Sequence, residues 1–123
     1  MIKEVKDKWV AALRSGDYQQ TKEFLQDSDG FCCLGVLCDL YINEHDSPSA
    51  ERYQRWKKLC EFQDGTLLDL HDNLLLPRAV REWSGVNSSD GNLRNGTCLT
   101  ALNDEGMPFS EIADTIEDKW EVL

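Results

Sequence analysis

The sequence predicts a mainly α (or α+β) fold: one compact domain of about five helices with one small β-hairpin. Three segments carry apolar residues at the three- and four-residue spacing of an amphipathic helix, and turn residues such as glycine, asparagine and aspartate separate them. A chain of 123 residues has the length of one ordinary domain. Its composition marks neither a linker nor a repeat, so residues 1–123 are interpreted as a single domain.

The first predicted helix covers Ile2–Ser15. Its apolar residues, among them Trp9 and Leu13, share one face, and Gly16 is a suitable C-terminal cap. The following segment, 16–30, begins and ends on turn residues and is predicted to form an extended arm or a short strand.

The second predicted helix covers residues 31–43, FCCLGVLCDLYIN, and follows the turn signal Asp29-Gly30. Apolar residues nearly close its circumference, which is typical of a central, buried helix. Gly35 costs about 1 kcal/mol relative to alanine inside a helix. A glycine at this point therefore indicates that a neighbouring segment packs closely against it.

The remaining elements are shorter and are delimited by proline and glycine. Pro77 suits the first turn of a helix, and Gly85 and Gly106 suit helix ends. The predicted elements are helices over 52–62, 77–84, 99–104 and 108–120, and the β-hairpin about Asp72 and Asn73.

The charge of the chain argues against nucleic acid as a partner. The formal net charge is −10, and residues 103–123 hold seven acidic side chains against one basic side chain. Such a surface repels a phosphate backbone. The stretch LTALNDEG has the residue spacing of the first half of a helix-turn-helix, but it belongs to the same acidic segment. We therefore expect no direct DNA binding.

Hydropathy predicts a cytoplasmic protein. No apolar run approaches the ~20 residues that cross a bilayer, so no membrane contact is expected. The N-terminal stretch MIKEVKDKWVAALRSG mixes charges into its apolar positions, unlike a secretory signal.

Three of the five cysteines, Cys32, Cys33 and Cys38, lie within seven positions. This spacing does not match the paired ligands of structural zinc sites, and a disulfide is not expected in a reducing compartment. Free cysteine is among the most buried residue types, which favours a core role. A hydrolase that uses Cys33 or Cys38 with His71 is the catalytic alternative. Without a familiar catalytic or nucleotide-binding motif, we predict a non-enzymatic protein with no cofactor, metal or catalytic residue.

Several polar side chains interrupt segments that otherwise pack inward, and they are the candidate ligand-binding residues. Helix caps and solvated faces are the structural alternative, with Asp39 satisfied by backbone amides or by Arg14. An arginine, amides and a carboxylate around a tryptophan or tyrosine suit the phosphate and base of a small nucleotide. The candidates are Arg14, Ser15, Gln19, Gln20, Asp39, Asn103 and Asp104.

Four stretches in a fixed order carry a family resemblance. They are WVAALRSGDYQQ (9–20), DGFCCLGVLCDL (29–40), LPRAVREWSGV (76–86) and LTALNDEGMPFSEIADTIE (99–117). Together they resemble a family of small accessory proteins carried by tailed phages and prophages. The resemblance covers close to half of the chain and implies a setting, the infected bacterial cell, but transfers no active site.

In that setting, two functions are open. The first is a counter-defence protein that sequesters a small nucleotide-like signalling ligand, as a homo-oligomer with pockets at subunit interfaces. The second is an acidic inhibitor or nucleic-acid mimic that binds a basic host protein. On the last predicted helix the carboxylates of Glu111, Asp114, Asp118 and Glu121 lie three or four residues apart on one side.

Overall fold

A computed structural model of the chain describes residues 1–26, 30–45 and 75–123. The described residues confirm the prediction of a mainly helical fold, since they contain five α-helices and, apart from isolated bridges, no β-structure. The helices are α1 (Lys3–Arg14), α2 (Cys33–His45), α3 (Arg78–Ser84), α4 (Leu99–Asp104) and α5 (Phe109–Lys119), followed by a 3₁₀ turn (Trp120–Val122).

The predicted helices agree with the observed ones to within one or two residues at each end. Helix α4 has the predicted bounds, whereas α2 begins two residues late because the backbone at 31–32 pairs with the preceding arm. The predicted helix over 52–62 and the predicted hairpin about Asp72 and Asn73 lie outside the described residues.

Helix α2 is the centre of the core. Every residue from 31 to 39 is buried, and α1, α3 and α4 all pack against this helix. Trp9 of α1 is fully buried, and its indole Nε1 donates a hydrogen bond to the carbonyl of Cys33 at 2.9 Å. The buried indole N–H is therefore satisfied by the backbone carbonyl of the first residue of α2.

Helix α1 also packs along α5, and a buried lysine crosses this contact. The Lys6 side chain is 5% exposed, and its ammonium lies 2.6 Å from Asp7 Oδ1 and 3.4 Å from Glu117 Oε2. It also lies 5.5 Å from the centre of the Trp120 ring. The hydrogen bond with Asp7 is the main cause that raises the pKa of Lys6. Lys6 thus remains charged although it is buried.

The described part of the arm between α1 and α2 contains no helix and forms isolated bridges at Gln20 and Gln26, with bends at 22–25, so the predicted extended form holds only locally. Phe31 N donates to Gln19 O at 2.8 Å, and Thr21 N donates to Phe31 O at 2.7 Å. The arm lies so close to α2 that a Cβ built on Gly35 would collide with the carbonyl oxygen of Leu25. This close approach explains the glycine inside the helix.

Helix α3 is anchored at its C-terminal end by both ends of the described chain. Gly85 ends the helix with a left-handed backbone (φ +76°). Ile2 N donates to Ser84 O at 2.8 Å, and Asn87 N donates to Leu123 O at 2.8 Å. These contacts fix the surface that α3 presents to solvent.

Candidate ligand-binding site

The structure brings three of the predicted site residues together, with Asn103 at their centre. Asn103 is fully buried. Its Oδ1 accepts hydrogen bonds from Gln20 Nε2 at 3.0 Å and Cys33 N at 3.1 Å. Its Nδ2 donates to Thr21 O at 2.8 Å and to Asp104 Oδ1 at 3.4 Å. Two lone pairs and two N–H groups are the full capacity of an asparagine side chain, so Asn103 joins the arm to α4 and α2.

Gln20 is also turned inward. Its Nε2 donates to the carbonyl of Met107 at 2.8 Å in addition to Asn103. Two of the three predicted amide side chains, Gln20 and Asn103, therefore bind each other and the backbone.

Asp39 and Arg14 do not bind each other, and each forms hydrogen bonds with other side chains. Asp39 is buried, and its carboxylate accepts hydrogen bonds from Tyr18 Oη at 2.5 Å and from Asn43 Nδ2 at 3.2 Å. Arg14, which was one of two groups expected to satisfy Asp39, instead pairs with Asp114 Oδ1 at 2.7 Å on the surface. The predicted arginine and the predicted carboxylate are thus engaged in separate pairs.

Ser15 and Gln19 act through local structure. Ser15 Oγ donates to Ala12 O at 2.6 Å and accepts from Asp17 N at 3.1 Å, which closes α1. Gln19 is exposed, and its backbone carbonyl holds Phe31. These contacts correspond to the structural alternative of caps and solvated faces.

The cysteines of α2 lie in the core. Cys32, Cys33 and Cys38 are buried. Burial raises the pKa of Cys32 to about 11 and that of Cys33 well above its ordinary value. A neutral thiol is a poor nucleophile and a poor metal ligand. The catalytic alternative also involves His71, which lies outside the described residues. In the part of the chain that the structure describes, no three histidine, cysteine or acidic side chains are grouped closely enough to hold a metal ion.

A candidate site that the sequence analysis did not identify lies on α3. One depression of about 500 Å³ adjoins a second of about 360 Å³, and both are lined by Arg78 and Glu82. We call this surface the α3 site; it consists of Tyr41, Arg78, Arg81, Glu82 and Asn87. Residues 78, 81 and 82 share one face because they are three and four positions apart on a helix.

The guanidinium of Arg81 is incompletely paired. Its Nη2 donates to the backbone carbonyl of Asn87 at 3.1 Å. Its Nε is buried and has no hydrogen-bond partner among the described residues. A buried donor without a partner costs about 1–3 kcal/mol, and a bound ion or ligand is one established reason for such a group to persist.

Arg78, the second arginine of the site, is exposed to solvent. Arg78 Nε pairs with Glu82 Oε1 at 2.9 Å, and these side chains are 78% and 67% exposed. An exposed pair of this kind contributes little to stability. The Arg78 guanidinium is therefore available to an incoming anion that competes with Glu82.

One aromatic ring borders the α3 site, and a second ring packs against it. Tyr41 lines the smaller depression, and its ring meets the Trp83 ring edge-on with centroids 5.6 Å apart. The sequence signal for this site was the three-residue spacing of two arginines in RAVRE, close to an asparagine. It was missed because charged residues on a short helix are ordinarily a solvated face.

The predicted acidic face of the last helix is exposed. On α5 the side chains of Asp114 and Asp118 are 72% and 76% accessible and Glu111 is exposed, whereas Glu121, also exposed, lies in the 3₁₀ turn that follows the helix. In the described residues no helix has both the length and the apolar character needed to cross a membrane.

Comparison with known proteins identifies a family for this chain. The family model described as domain of unknown function (DUF8296) matches residues 1–120. No curated protein and no solved structure matches the chain. The matched range includes all five described helices and every residue of the α3 site. The chain therefore belongs to the DUF8296 family.

Proposed function

We propose that the protein is a non-enzymatic binding protein that captures a small nucleotide-like ligand at the α3 site. The observation that carries this proposal is the Arg81 guanidinium, which lines one depression together with a second arginine and whose buried Nε has no hydrogen-bond partner among the described residues. The raised pKa values of the buried thiols support the non-enzymatic part of the proposal.

The residues of the α3 site match the chemical groups of a nucleotide. Guanidinium groups at Arg78 and Arg81 suit a phosphate, since each offers parallel N–H donors to two oxygens. The Asn87 amide suits the edge of a base, and the Glu82 carboxylate suits ribose hydroxyls. The Tyr41 ring supplies a surface on which a base can stack.

The size of the site is also suitable. Depressions of about 500 and 360 Å³ fall within the range of roughly 300–1,000 Å³ that small-molecule sites occupy. Two arginines against one glutamate make the site locally positive in a chain whose net charge is −10. Binding of an anion should therefore weaken as ionic strength rises.

The resemblance to tailed-phage and prophage proteins supplies the biological part of the proposal. In that setting, capture of a nucleotide signal counteracts a host defence by occupancy, without turnover. The depressions are shallow, so a second copy that covers the α3 site would exclude water from the ligand. Binding as a homo-oligomer accordingly belongs to the proposal.

Calorimetric titration with cyclic dinucleotides and adenosine-ribose derivatives tests the proposal. Heat of binding is expected for at least one compound, and Arg81→Ala and Arg78→Ala should each weaken it at least tenfold. Arg94→Ala is the matched control, because Arg94 is an exposed arginine whose Nε donates to Val122 O at 3.3 Å, outside the site. Loss of binding in Arg14→Ala, with Arg81→Ala unaffected, would move the site back to the residues predicted from the sequence.

A further inference from the structure

A third depression, of about 410 Å³, lies between the arm and α4 and shares no residue with the α3 site. Its lining residues are Glu23, Phe24, Leu75, Thr100 and Asp104. The depression thus combines two apolar side chains with two carboxylates in one small volume.

The apolar part of this depression is open to solvent. Leu75 is 46% exposed, and Phe24 is half-buried beside it. The next residue, Leu76, is buried, and its N–H donates to Ser89 O at 2.8 Å. The exposed leucine is therefore followed directly by a residue that burial and a backbone hydrogen bond hold in place.

The acidic part of the depression consists of the Asp104 and Glu23 carboxylates, and only one of their four oxygens, Asp104 Oδ1, accepts hydrogen bonds within the described residues. Asp104 Oδ1 accepts from Glu23 N at 2.8 Å and from Asn103 Nδ2 at 3.4 Å. Within the described residues, Asp104 Oδ2 and the Glu23 carboxylate have neither a hydrogen bond nor an ion pair. The nearby Lys22 extends toward Gly106, where its Nζ lies 3.9 Å from the position of a Cβ built on that glycine.

We infer that this depression receives a lysine or arginine side chain of a basic protein partner. The methylene groups of such a side chain lie against Phe24 and Leu75, and its cationic head pairs with Asp104 and Glu23. Charge complementarity selects this occupant, because a cationic side chain pairs with the carboxylates of Glu23 and Asp104, an apolar segment would form no ion pair with them, and an anion would be repelled. The inference is independent of nucleotide capture at the α3 site, since the two surfaces have no side chain in common.

Amide NMR of the whole chain, titrated with the peptide Ac-Gly-Arg-Gly-NH₂, tests the inference. Saturable shifts are expected at the amides of the five lining residues. The same peptide with citrulline in place of arginine keeps the shape and removes the charge, and it should produce no saturable shift. Equal shifts with the two peptides, or no saturable shift with arginine, would overturn the inference.

Two charge-neutralising variants locate the binding. Asp104→Asn retains an oxygen for Glu23 N, so the fold is kept, and peptide affinity should fall about three- to fivefold, the factor that an exposed ion pair provides. Asp118→Asn removes an exposed carboxylate of α5 and should leave the affinity unchanged. An equal loss in both variants would show general attraction to an acidic chain and would also overturn the inference.

Discussion

Arg81 Nη2 donates a hydrogen bond to Asn87 O at 3.1 Å, while the buried Nε of the same guanidinium has no partner among the described residues. The fold of the described residues therefore does not use the full hydrogen-bonding capacity of Arg81. Such groups are few in natural proteins, and a functional role or a bound ion is among the reasons for which they persist.

The first prediction is that Arg81 contributes more to binding than to stability. Arg81→Met retains an apolar stem and removes the unpaired donor, so the free energy of unfolding should stay within about 1 kcal/mol of the parent value. Urea unfolding measures this quantity. A loss above about 3 kcal/mol would mean that Arg81 is a structural residue.

The second prediction concerns the buried amide of Asn103. Asn103→Ala removes four hydrogen bonds and leaves Cys33 N and Thr21 O buried without this partner. We expect a loss of about 3 kcal/mol in the free energy of unfolding. Asn95→Ala, at an exposed loop position, is the control and should change stability by less than about 1 kcal/mol. Similar values for the two variants would contradict the central role of Asn103 in the fold.

The third prediction uses two glycines. Gly35→Ala should destabilise the protein by about 3 kcal/mol or more, because the new Cβ meets the backbone carbonyl of Leu25. Gly96→Ala places a Cβ in open space at φ +90° and should cost about 1–2 kcal/mol from backbone strain alone. Thermal unfolding compares the two. A more stable Gly35→Ala, as helix propensity alone predicts, would show that the arm does not lie against α2.

The fourth prediction is that the α2 thiols resist alkylation. With a pKa of about 11, roughly one Cys32 in a thousand is a thiolate at pH 8. Cys98 is partly exposed and should react with iodoacetamide well before Cys32 and Cys33. Peptide mass spectrometry after timed labelling reads each site separately. Labelling of Cys33 as fast as Cys98 would revive the catalytic alternative.

The same thiols predict a loss of stability at alkaline pH. Burial raises the pKa of Cys32 from 9.0 to about 11, so the folded state favours the neutral thiol. This contribution, about 3 kcal/mol, is fully present below pH 9 and is lost as the pH rises to 11. Cys32→Ala should show a flatter decline in melting temperature over this range. An unchanged decline would mean that Cys32 does not contribute to it.

Local signals in the sequence predicted most of the described helices. Helix α4 begins after Cys98 and ends before Gly106, as the apolar spacing and the glycine indicated. Gly35 correctly indicated the close approach of another segment. These features depend on a few neighbouring residues, which a sequence displays directly.

The candidate site was much harder to predict because it depends on contacts between distant residues. Asn103 was correctly identified as unusual, but the backbone groups that form hydrogen bonds with its side chain belong to Thr21 and Cys33, about 70 to 80 positions away. Arg81 looked like an ordinary surface arginine. The burial of its Nε, and the lack of a hydrogen-bond partner for it among the described residues, depend on how the fold surrounds Arg81, which no spacing in the sequence reveals.

Native mass spectrometry of the protein purified from its bacterial expression host, compared with Arg81→Ala, tests nucleotide capture most directly. We predict a bound species of nucleotide mass that is released on denaturation, absent from Arg81→Ala and retained by Arg94→Ala. The spectrum also gives the number of chains for each ligand. A nucleotide adduct that persists in Arg81→Ala, or a bare chain mass that no added cyclic dinucleotide or adenosine-ribose derivative changes, would rule out nucleotide capture at the α3 site.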